Sequence, residues 1–116
     1  MNEQNIEIVD IKIELCREGA VFPRYANPYD AGMDIYAAED CLIKPGETVP
    51  VPTGIKLAIP PGYEVQIRPR SGISLKTLLR IPNSPATIDS GYRGEVMVIM
   101  HNLATGSPDK VYTLKD

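Results

Sequence analysis

Proline and glycine interrupt this sequence so often that few windows are long enough for three helical turns. The chain carries 11 prolines and 9 glycines in 116 residues. A proline inside a helix removes a hydrogen bond and clashes with the preceding turn. Between the breakers, apolar residues recur with period two. Ile6, Ile8, Ile11, Ile13 and Leu15 alternate with polar neighbours, with a phase slip near Val9 and Asp10 that reads as a bulge. Residues 41–43, 48–51, 55–59, 63–68, 95–101 and 110–114 read as further short strands, with turns at 44–47 and 60–62. Residues 71–79 are compatible with a short helix capped by Ser71. Many short strands divided by turn signals predict an all-β sandwich or barrel. With no repeat or linker, residues 1–116 read as a single domain.

Charge narrows the function classes. The net charge is −3 and the sequence pI about 5.1, which argues against a general nucleic-acid binder, since that role needs a basic surface. A few local arginines still suffice to hold an anionic small molecule. The 43% of hydrophobic residues supplies a core, which argues against disorder. No apolar run reaches the roughly 20 residues of a membrane span, and residues 1–10 lack a signal-peptide pattern. Cys16 and Cys41 match no metal spacing and read as structural, commonly buried thiols, while His101 is the single histidine. A reducing, cytoplasmic setting is the simplest expectation.

Three segments carry groups suited to chemistry. Residues 82–95 pack Asn83, Asp89, Tyr92, Arg93 and Glu95 into a turn-rich stretch ahead of a strong strand. Asp89 follows Thr87 and Ile88, so it is expected at a strand end, its carboxylate directed into a cleft where it can activate water as a general base. Tyr92 offers a flat ring for a sugar or base. The plainer reading of this composition is a turn in which Asp89 bonds to backbone. In residues 68–72, Arg70 supplies a fork of donors for phosphate, Ser71 a hydroxyl and Gly72 room for close approach; a helix starting there would add free N–H groups. Alone, this is also what a solvated surface turn looks like. In residues 31–37, Asp34 sits among apolar residues and needs a partner, either an arginine or a hydrated metal.

Together the segments resemble the trimeric deoxyuridine triphosphatase (dUTPase) family. Ala-Gly-Met-Asp-Ile-Tyr-Ala at 31–37 looks like its first motif, Pro-Arg-Ser-Gly at 69–72 like its second, and Asn-Ser-Pro-Ala-Thr-Ile-Asp-Ser-Gly-Tyr-Arg-Gly-Glu at 83–95 like its third. The order matches, as does the spacing between second and third, and the likeness runs from about residue 5 to the end. The resemblance implies a distorted jelly-roll β-barrel, a homotrimer with active sites between subunits, and hydrolysis of dUTP to dUMP and pyrophosphate. It implies Mg²⁺ held by substrate phosphates and water, with no direct protein ligand. By position, Asp89 would be the catalytic base. Tyr92 would pack under the deoxyribose. Asn83, Thr87 and Ile88 would belong to a hairpin over residues 83–92 whose main chain reads uracil. Arg70, Ser71 and Gly72 would hold phosphates, and Asp34 would act through metal-bound water or by orienting an arginine.

There are departures. Ala86 and Leu78 stand where the family commonly has Gly. The resemblance also implies a fourth, Arg-x-Ala-Gln-like motif and a Gly-rich arm with an aromatic residue, and neither occurs before Asp116. A protein lacking both would have an open, poorly active site. Two rivals share the shell: a dCTP deaminase, which would use a Glu base and typically a Trp where Tyr92 stands, and a catalytically weak nucleotide- or protein-binding module. Ammonia release from dCTP against pyrophosphate release from dUTP separates them.

Overall fold

Two long strands organise the molecule, and every other element packs on one half or the other of the pair they form. The structure, a computed structural model, describes residues 7–107 and 110–114. In chain order the elements are β1 (Lys12–Leu15), β2 (Cys41–Ile43), β3 (Thr48–Ala58), β4 (Glu64–Ile67), α1 (Ser71–Lys76), β5 (Leu79–Arg80), β6 (Ala86–Asp89), β7 (Glu95–Asn102) and β8 (Tyr112–Leu114). A four-stranded antiparallel sheet has the order β1-β3-β7-β5, and two strand pairs, β2-β8 and β4-β6, complete the structure. The all-β expectation holds, although the described strands do not join into one closed barrel.

β3 and β7 serve two cores. Ile55, Leu57 and Ile59 from the second half of β3 and just beyond it pack with Val96 of β7 against Ile67 of β4 and Ile88 of β6. Val51 and Met100, from the opposite halves of the same strands, pack with Ile43 of β2 and Leu79 of β5, with Tyr112 and Leu114 of β8 alongside. Ile43, Ile55 and Ile59 are essentially without solvent contact, and each burial contributes about 1.5–3 kcal/mol before entropy is charged. A register shift between Pro52 and Lys56 separates the halves. Within it Thr53 is buried, its hydroxyl donating to Val96 O at 2.6 Å.

The sequence reading divided β3 at residues 52–54, around Pro52 and Gly54, and the structure corrects this. β1 pairs only with residues 55–58 of β3. Residues 48–52 are therefore paired with β7 alone. Pro50 and Pro52, two apart, both turn their nitrogens to the open edge, where no donor is missed. On that edge Pro52 O instead accepts from Ala38 N at 2.8 Å.

Other boundaries also moved. The first strand begins at Lys12, where pairing with Ala58 begins, and Ile8 and Ile11 are exposed on coil; Ile6 lies outside the described residues. The strand read over 110–114 is confined to Tyr112–Leu114. Asn102, fully buried, ties this end together. Its Nδ2 donates to Ile43 O at 3.0 Å and Lys110 O at 2.8 Å, and its Oδ1 accepts from Ala104 N at 2.9 Å. Both cysteines are free thiols, and Cys16 is exposed rather than buried. His101 Nδ1 is 2.8 Å from Thr48 Oγ1 across the sheet, a structural contact.

Candidate active site

The side chains of β6 are sorted by strand geometry. Ile88 faces the core, so its neighbours Thr87 and Asp89 face outward, and both are exposed. β6 lies antiparallel to β4, with Asp89 opposite Glu64 and Thr87 opposite Gln66. Along β4 the exposed side chains form a ladder: Gln66 Nε2 donates to Glu64 Oε1 at 2.8 Å, and Arg68 Nη2 donates to Gln66 Oε1 at 2.8 Å. Since the partner of β6 is β4, residues 83–92 are not a hairpin paired on itself, as the resemblance had implied. They are a turn at Asn83, one strand, and a second turn closed by Tyr92 N donating to Asp89 O at 3.1 Å.

That second turn holds Tyr92. Its hydroxyl donates to Glu95 O at 2.7 Å, and its ring lies across Gly94, where a Cβ would come within 2.7 Å of the hydroxyl oxygen. Arg93 donates to Ser90 O and, at 3.2 Å, to Tyr92 O. Glu95 is anchored more strongly. Its carboxylate accepts from Arg17 Nε at 2.8 Å and Nη2 at 2.7 Å, and from Gly54 N at 2.9 Å. The Arg17 bonds, followed by the Gly54 N–H and against a desolvation cost, hold this carboxyl below its ordinary range.

The second segment meets the first at one point. Arg70 Nε lies 3.7 Å from Asp34 Oδ1, with the arginine largely exposed and the aspartate half-buried. The arginine partner expected for Asp34 is thus found. Asp34 is placed by a bridge to Arg24, with Asp34 N donating to Arg24 O at 2.8 Å; Arg24 in turn lies over the Tyr36 ring at 5.6 Å and donates to its hydroxyl. Arg70, extended at φ −86 and ψ 136, occupies the cap position of α1 and makes no side-chain cap bond. Ser71 is therefore the first helical residue and not the cap, because the chain turns helical one residue earlier than its hydroxyl would require. Gly72 borders open space: a Cβ there would meet nothing within 4 Å.

These groups do not converge within one chain. A cavity of about 240 Å³ lies beneath the Arg68–Arg70 turn, lined by Tyr36, Thr53, Ile67, Arg70, Ile73 and Ser74 among others. A wider groove of about 620 Å³ is floored by Ile55, Leu57 and Val65 and bordered by Tyr25 and Met33. Asp89, Asn83 and Tyr92 line neither. Asp89 thus stands outside both of these cavities, and its carboxylate makes no side-chain hydrogen bond or ion pair among the described residues. Nor is there a group of three or more His, Cys, Asp or Glu arranged to hold a metal among those residues. The sequence reading gave no role to the Glu64–Gln66–Arg68 ladder, although its period of two was visible, or to Arg17, which is 78 residues from its partner and carries no local signal.

A family model described as dUTPase matches residues 18–107. The deoxyuridine 5'-triphosphate nucleotidohydrolase of Solibacter usitatus is 52% identical over 97 residues, covering 82% of this chain and 66% of its own length. The Clostridium tetani protein of that name is 48% identical over 92 residues, covering 79% and 63%. The chain thus spans about two thirds of the length of the curated relatives it matches. Among solved structures, the dUTPase from phage phi11 of S. aureus superposes with a TM-score of 0.85 at 27% identity, over 91% of this chain and 82% of that one. A mutant of the phi11 enzyme, solved with a structural Mg(II) ion, gives 0.77 at 35% identity, over 82% and 61%. The jelly-roll expectation is met by these likenesses.

Proposed function

The chain belongs to the dUTPase family, and on that premise we propose that it hydrolyses dUTP to dUMP and pyrophosphate. The observation that carries the reading is Asp89: a carboxylate at the end of β6, held outward by the burial of Ile88 and left without a side-chain partner among the described residues. A water bound to Asp89 gives up a proton to that carboxylate as its oxygen attacks the α-phosphorus; the bond to the bridging oxygen breaks and pyrophosphate leaves.

The remaining roles follow from placement. Arg70, oriented by Asp34, meets phosphate together with Ser71 and Gly72. Tyr92 packs under the deoxyribose, while Asn83, Thr87 and Ile88 lie along the main chain that reads the base. Mg²⁺, when bound, would neutralise phosphate charge, and the partly buried carboxylate of Asp34 would act on it through its waters.

A homotrimer with sites between subunits belongs to the same reading. Its support is that Asp89 and Arg70 do not converge in one chain, and that the chain is extended. The radius of gyration is 15.9 Å, against about 13 Å for a compact domain of roughly this size. Met97, Ile99, Leu103 and the large groove also leave apolar surface uncovered. We read residues 1–116 as one domain, in a cytoplasmic setting suited to two free thiols.

The test is pyrophosphate release with Mg²⁺ from dUTP, dTTP and dCTP. The proposal expects turnover of dUTP alone. Equal rates with dTTP reject uracil recognition, and ammonia from dCTP makes the protein a deaminase.

A further inference from the structure

We infer that the Arg17–Glu95 pair is a positioning device that sets the place of the Tyr92 ring, and through it the discrimination of deoxyribose from ribose; the second half of this statement rests on the sugar-packing role proposed for Tyr92. Two contacts fix the ring, and both come from residues 94 and 95. The Tyr92 hydroxyl is bonded to Glu95 O. The hydroxyl end of the ring lies so close to Gly94 that a Cβ there would stand 2.9 Å from Cζ and 3.2 Å from Cε1. The ring is therefore only as well placed as the main chain at the start of β7.

That main chain is held by the Glu95 side chain. All three bonds to its carboxylate come from elements outside the Asp89–Tyr92 turn: two from Arg17, just after β1, and one from Gly54 N in the β3 irregularity. The anchor is itself rigid. Gly54 has φ +73, and a Cβ on it would stand 2.4 Å from Ala20 Cβ. Cys16 N also donates to Gly54 O at 2.7 Å. The arrangement ties the turn after Asp89 to the frame of the four-stranded sheet. A bidentate arginine gives that tie direction as well as strength.

The experiment uses Glu95→Ala, Arg17→Ala and the milder Glu95→Gln in the full-length protein, with folding checked by thermal melting. The first readout needs no activity. The Gly94 α-protons sit against the Tyr92 ring and carry a ring-current shift in NMR, assigned by its loss in Tyr92→Ala. The inference expects that shift to collapse in folded Glu95→Ala and Arg17→Ala and to be partly kept in Glu95→Gln, whose amide oxygen still accepts two of the three bonds. The second readout is the ratio of kcat/KM for dUTP over UTP, expected to fall by about tenfold in Glu95→Ala, the size of a misfitted contact in a shaped pocket. An unchanged Gly94 shift in both alanine variants overturns the inference. A collapsed shift with an unchanged nucleotide ratio upholds the clamp on the ring and rejects instead the role of Tyr92 beneath the sugar.

Discussion

Arg70 Nε approaches Asp34 Oδ1 at 3.7 Å, joining two polypeptide segments that share no strand pairing. At that distance, and with the guanidinium two-thirds exposed, the contact orients more than it stabilises. Asp34→Asn should therefore change stability by no more than about 1 kcal/mol, while a nucleotide that relies on Arg70 binds less well. The expected result is a raised KM for dUTP with the melting temperature nearly unchanged. A loss of several degrees with an unaltered KM would make the pair structural.

Asp89 gives the opposite partition. Its side chain is exposed and makes no hydrogen bond among the described residues, so Asp89→Asn leaves no buried group unsatisfied and should fold with wild-type stability. Hydrolysis should fall by roughly 10²–10⁴, the usual value of a positioned general base. Substrate affinity should be largely kept, because the amide still occupies the same space. Equal turnover by the variant would remove Asp89 from the chemistry.

What the sequence reveals and conceals here has a physical pattern. Local alternation identifies β4, where Val65 and Ile67 turn the same way, whereas β7 shows itself as an unbroken apolar run from Val96 to Met100 of which only alternate residues pack into the cores. Alternation fails at β3, where Pro52 looks like a terminator until the missing neighbour on that edge is known. It also credits Ile8 and Ile11 to a strand that has no partner there. The motif residues were recognisable individually, but Asp34 with Arg70, and Arg17 with Glu95, meet only through tertiary structure. The cleft around Asp89 was inferred from the type of residue at a strand end, and residue type alone carries no information about the shape of the surface beside it.

Acid should loosen the Glu95 anchor. The Arg17 bonds hold the folded carboxyl below the ordinary glutamate value of 4.5. A depressed folded pKa contributes stability that is fully present above 4.5 and is lost as pH falls through the folded value. Wild type should consequently lose more stability on acidification below 4.5 than Glu95→Gln, which has no proton to take up. Urea midpoints measured at successive pH values test this; parallel curves for the two proteins would show that the carboxylate has no such linkage.

Asn102 is the residue whose loss should cost the fold most for the fewest atoms. It is fully buried, and its amide joins β2, β7 and the approach to β8 through Ile43 O, Lys110 O and Ala104 N. Truncation in Asn102→Ala leaves two carbonyls and one N–H short of a partner, where each unsatisfied buried group costs about 1–3 kcal/mol. Partial entry of water offsets some of this, so the expected loss is roughly 2–4 kcal/mol. Asn102→Asp sharpens the test. The carboxylate still accepts from Ala104 N but turns negative charge toward the two carbonyls that the amide had served. At neutral pH it should be at least as damaging as alanine, and it should recover in part at low pH, where the protonated acid donates to one of them. Denaturant unfolding at two pH values reads both effects, and an Asp variant as stable as wild type at neutral pH would mean the amide donors are not what holds these strands together.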